Sequence, residues 1–172
     1  MSRLTYTNLQ AGIPENTTGL ILPTNVRDIT ESYSMLKIIG DVSATIVVPI
    51  TTPTIVPIVL AGVATPNMSI NGSNQVVCAL VTRYIVTYKV LGLASAATDL
   101  TLQLYYNGAA VDFSQVQISS VNGKYVTLSG TFIVSTQAPN ATIDIRMVGA
   151  AGINLTNGKA YMSVHSLPVQ LQ

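Results

Sequence analysis

Four Asn-Gly pairs, Asn71-Gly72, Asn107-Gly108, Asn122-Gly123 and Asn157-Gly158, punctuate the last two thirds of this chain, and the runs between them alternate apolar and polar residues. Asn and Gly both tolerate the positive φ that a two-residue type I′ turn demands, so each pair predicts a reversal between antiparallel strands. A closed antiparallel sandwich is the expected result.

From Val42 onward the period-two pattern predicts strands at 42–50, 55–60, 75–81, 84–91, 100–106, 111–119, 125–135, 143–148 and 159–167. In the strands expected at 100–106 and 125–135 the logic is plain: Leu100, Leu102 and Leu104 share one face, while Leu128, Gly130, Phe132 and Val134 alternate with Thr and Ser. Ahead of them, Gly12, Pro14, Gly19 and Pro23 predict an extended arm over residues 1–22. Thr24 then serves as N-cap for one short helix carrying Val26, Ile29, Tyr33 and Leu36 at three- and four-residue spacing, ending near Lys37. The domain division is therefore an arm and helix at 1–40 and a sandwich at 41–172.

Charge is scarce. Only 9% of the 172 residues are charged, against about 25% in ordinary soluble domains, and none lies between Asp41 and Arg83. Twenty threonines keep the exposed faces neutral rather than ionic. A long uncharged stretch is hard to leave bare on a small monomer, which favours burial between subunits. A net charge of +1 supplies no basic stripe for nucleic acid. The most apolar window, 46–64, contains Pro49, Pro53 and Pro57, which spoil it as a membrane helix. The start of the chain shows no apolar core followed by a cleavage site, so cytoplasmic synthesis is expected.

The residue types that carry chemistry are equally thin. His165 is the sole histidine and sits in an alternating strand, and no Gly-x-Ser-x-Gly elbow is present. Cys78, in an apolar run, reads as a small buried hydrophobe. One His, one Cys and seven carboxylates offer no zinc spacing and no calcium loop. Asp99, Asp112 and Asp144 show no sign of converging as a glycosidase pair, and the stretch 149–152 precedes no strand-to-helix unit that would cradle phosphate. No enzyme, cofactor or metal is expected. Eight tyrosines suit core and interface positions, where a large ring with one polar end is useful.

The segments 83–90, 102–108, 127–134 and 141–146 together resemble the jelly-roll modules, related to TNF and C1q domains, that end many bacteriophage fibres. The segment 14–28, an Asn-Thr-x-Gly element followed by a Pro-led helix start with Arg27-Asp28, is similar to one that recurs near the starts of phage appendage proteins. The stretch 49–66 matches neither pattern.

The resemblance implies an all-β, antiparallel jelly-roll sandwich behind an arm and a short helix, assembled as a homotrimer. It further implies a structural protein of a bacteriophage virion, a head fibre or capsid decoration made in the host cytoplasm and held by other virion proteins. On this reading Asn16, Thr17, Gly19, Ile21, Pro23, Val26, Arg27, Ile29 and Tyr33 form the docking element, and Tyr84, Tyr88, Tyr105 and Phe132 the trimer interface. The alternative from another class is a receptor-binding tip that grips a glycan or protein of the host surface.

Overall fold

Two antiparallel sheets face each other across one apolar core, and strand alternation explains which side chains fill it. The computed structural model describes residues 35–58 and 67–167, the first ten of them as backbone. The arm, the helix up to residue 34, the docking element and the far end of the strand expected at 55–60 lie outside these residues.

Eleven strands are described: β1 (Met35–Val48), β2 (Thr54–Ile55), β3 (Met68–Ile70), β4 (Val76–Cys78), β5 (Arg83–Ala94), β6 (Asp99–Tyr106), β7 (Ala109–Ala110), β8 (Val116–Ser119), β9 (Tyr125–Ser135), β10 (Ala141–Gly149) and β11 (Ile153–Ser166). One sheet has the order β1-β11-β5-β9. The other runs β3-β4-β10-β6-β7, with β2 beside β10 and β8 beside β6. All these pairings are antiparallel.

Leu100, Leu102 and Leu104 of β6 are fully buried, as their spacing predicts, against Ile143, Ile145 and Met147 of β10. Across the core stand Val86 and Val90 of β5, Leu128 of β9, and Met162 and Val164 of β11. At about 1.5–3 kcal/mol for each fully buried aliphatic side chain, this layer supplies the main driving force for closure. Cys78 is buried here too, and burial pushes its thiol up to about 12, partly offset by a hydrogen bond with Tyr84. The thiol is inert packing.

Several expected boundaries move. Met35, Leu36 and Lys37, placed at the end of the helix, belong to β1, where Met35 pairs with His165 and Lys37 with Ser163. Ladder bonds to a neighbouring strand override the local three-four spacing that suggested a helical last turn. Of the strand expected at 55–60, the described residues show a short strand at Thr54–Ile55, with Val56 N–H donating to the Ile145 carbonyl, and β3 was not foreseen. The strand expected at 111–119 is paired only at β8 (Val116–Ser119); its first residues, Val111–Ser114, form the turn that follows β7.

The four Asn-Gly pairs have four different fates. Asn107 and Gly108, with φ of 47° and 80°, make the expected two-residue reversal from β6 to β7. Asn71 instead uses its side chain to accept from the backbone N–H groups of Ser73 and Gln75, closing a longer β3–β4 turn with Asn74 at φ 59°. Gly123, at φ 70°, turns the chain from β8 in one sheet to β9 in the other. Asn157-Gly158 reverses nothing: it is a bulge inside β11, opposite an irregularity in β1. A bulge kinks a strand without ending it.

Candidate assembly surface

Strand β5 carries apolar side chains in both registers. Its even positions, Tyr84 to Ala94, enter the core, while Ile85, Leu91 and Leu93 stand half-buried on the outer face of the four-stranded sheet. Apolar residues on both faces are the mark of a strand meant to be covered on both sides.

The register builds rows across that outer face. Ile85 lies between His165 and Ile133, Thr87 between Ser163 and Thr131, and Leu93 between Thr156 and Tyr125. Ile133 is 56% exposed and Tyr125 63%. The hydroxyls of Thr87 and Thr131 lie 3.1 Å apart within the middle row, and Ser163 Oγ lies 2.5 Å from Nε2 of His165 in the adjacent row. Arg83 at one end and Lys89 and Lys159 toward the other are the basic residues that β5 and β11 place on this face.

Of the four aromatics assigned to an interface, two are corrected. Tyr84 and Tyr88 are buried within the single chain and cannot meet a second copy. Tyr84 donates its hydroxyl to the Leu80 carbonyl at 3.0 Å and Tyr88 to the Ser114 carbonyl, whose depth raises the Tyr88 pKa through desolvation. Their even register in β5 turns them inward. Tyr105 is half-buried on the opposite outer face, under the Arg146 guanidinium at 4.2 Å from its ring centroid. Phe132 is half-buried at the edge of the core. The outer-face residues Ile85, Tyr125, Ile133, Tyr161 and His165 were missed, although the double apolar register of β5 was there to be read.

Beneath Tyr105 lies a polar cluster. Asp144 has a fully buried side chain that accepts from Arg146 Nε at 2.8 Å and from Gln75 Nε2 at 2.7 Å. The bond to Asp144 raises the Arg146 pKa further and keeps it charged. Asp99 accepts from the Ser119 hydroxyl, and Asp112 lies in the 111–114 turn. Among the described residues no group of His, Cys, Asp and Glu is placed to hold a metal, and no helix is long and apolar enough to cross a membrane.

The loops at one end of the sandwich interlock. Ser95 and Asn154 bond in both directions at 3.0 Å, and Ala151 N–H donates to Thr98 Oγ1 at 2.9 Å. Beside them is an open cleft of about 240 Å³ lined by Val47, Val48, Pro49, Ser95, Ile153 and Asn154 along with Gly152.

No protein-family model and no curated protein matches the sequence. Among solved structures, the chain is similar to the Eiger TNF of S. frugiperda, with TM-score 0.60 and 16% identity over 81% of this chain and 99% of that one. The fold is a TNF/C1q-like jelly roll. The jelly roll is also similar to PRD1 vertex protein P5, with TM-score 0.55 and 9% identity over 78% of this chain and 96% of that one. The globular domain of zebrafish complement 1qA matches with TM-score 0.52 and 10% identity, covering 78% and 97%. The arrangement of strands, rather than any shared residue, carries these likenesses.

Proposed function

We propose that this chain is a structural protein of a bacteriophage virion, a homotrimeric head fibre or capsid decoration whose jelly roll projects from the particle. The observation that carries this reading is the outer face of β1-β11-β5-β9, apolar and hydroxyl-rich on a chain that buries a full core elsewhere. Covering that face with further copies explains why β5 carries apolar side chains in both registers. The likeness to a protein named as the PRD1 vertex protein supports a place on the virion surface. Residues 1–40 are the docking region, with Asn16, Thr17, Gly19, Ile21, Pro23, Val26, Arg27, Ile29 and Tyr33 as its contacts to another virion protein, and residues 41–172 the projecting unit. Tyr105 and Phe132 keep enough exposure to join the subunit contact. No catalytic role is proposed.

Light scattering on the purified chain tests assembly, and cryo-electron microscopy of whole particles tests location. The expected results are a mass of three chains and density on the capsid. A stable monomer at micromolar concentration, or density confined to a tail tip, would overturn the corresponding half of the reading.

A further inference from the structure

Phe113 is 95% exposed and sits at φ 61°, a left-handed backbone conformation that is an outlier for a bulky side chain. Its turn is nevertheless built firmly. Ser114 N–H donates to the Val111 carbonyl at 3.3 Å, Ser114 Oγ donates to the same oxygen at 2.6 Å, and Gln103 Nε2 reaches it at 3.2 Å. Leu104 N–H donates to Ser114 Oγ, and Tyr88 holds the Ser114 carbonyl from inside the core. A glycine at 113 would be free of strain, yet the chain holds an aromatic ring in water there.

The cleft described above lies at one end of the four-stranded sheet, on the side of β1 and β11, and Val47 on its rim is 65% exposed. Phe113 projects from the other side, in the β7–β8 connection next to β6, where β8 runs beside β9. A cavity of about 150 Å³ is enough to admit benzene, so a cleft of about 240 Å³ has room for a phenyl ring.

We propose that Phe113 of one copy inserts into the Val47–Pro49–Ile153 cleft of a second copy. A knob and a hole on opposite sides of the sandwich cannot satisfy each other in one two-fold patch. Successive copies therefore join head to tail, a contact that closes into a ring when the rotation allows. This inference rests on the homotrimer reading and names the contact that holds it.

The test uses the full chain. Phe113→Gly removes the ring and relieves the backbone, so the folded monomer should melt no lower than wild type while the trimer dissociates at a concentration at least about tenfold higher, as for one central aromatic anchor. Val47→Asp on the cleft side should weaken the trimer alike. Mixed with each other, the two variants should form a pair, because one intact knob still meets one intact hole. A second measurement is independent of stability: a Phe113→Cys chain mixed with a Val47→Cys chain under mild oxidation should give an interchain disulfide, with Cys78 buried and silent. A wild-type trimer left unchanged by Phe113→Gly and giving no crosslink would sink this contact and leave the trimer standing. A wild-type monomer would remove both.

Discussion

Gly130 stands opposite Tyr88 in the β5–β9 ladder, and a Cβ placed on it would fall 2.7 Å from both Cζ and the hydroxyl oxygen of that ring. The missing side chain lets Tyr88 lie across the edge strand and reach the Ser114 carbonyl at the rim of the other sheet. One glycine thus ties the two sheets together at the turn that presents Phe113.

Gly130→Ala should therefore destabilise the chain by about 1–3 kcal/mol through overpacking against a fixed ring. Urea denaturation reads the change. Placing Gly130→Ala in a Tyr88→Leu background should cost less than the sum of the two single changes, since the clash is then gone. Strict additivity would show that the ring and the glycine are not in contact.

The Asp144–Arg146 pair should respond asymmetrically. Removing the guanidinium strands a fully buried carboxylate with Gln75 as its remaining side-chain donor, so Arg146→Ala should cost about 3–5 kcal/mol. Asp144→Ala leaves Arg146 and Gln75, both partly exposed, free to turn toward water, and should cost about 1–3 kcal/mol. Thermal melts of the two variants give the order directly, and the reverse order would contradict the burial argument.

Alkali should weaken the fold. Burial raises both Cys78, from 9.0 to about 12, and Tyr88, so the native state holds these protons more tightly than the unfolded chain. The stability linked to them is present in full below the unfolded values and is lost as pH climbs through the folded ones. The melting temperature is expected to fall from about pH 9 upward, with a shallower slope in Cys78→Ala. An identical slope in that variant would deny the thiol any part.

Ile85→Glu and Thr87→Arg place charge in the middle of the outer face without entering the core. Each should leave the jelly roll folded, with a stability change within about 1 kcal/mol, and give a monomer by light scattering. Val86→Glu, one residue along and fully buried, should instead fail to fold. Trimers that persist with Thr87→Arg would place the subunit contact on another face.

Deleting residues 1–22 should spare the described strands and their assembly while abolishing incorporation into particles. Quantifying the protein on purified virions checks this. Normal incorporation of the shortened chain would remove the proposed docking role.

Periodicity alone revealed much of this molecule. The alternation Leu100-Thr101-Leu102-Gln103-Leu104 names one face of β6 because successive side chains of an extended chain must point to opposite sides. The buried Cys78 was legible in the same way. Asn107-Gly108 announced its turn because both residues accept positive φ. Tertiary structure decided the rest. The identical dipeptide at 157–158 became a bulge, since β11 is held on both sides by β1 and β5 and their ladders continue past it. Whether Tyr84 and Tyr88 faced inward or outward depended on which register of β5 met the core, and alternation fixes relative faces but not which one is inside. Phe113 was silent in sequence: only the closing of Ser114 under Leu104 and Tyr88 could hold an aromatic ring in solvent against its own backbone preference.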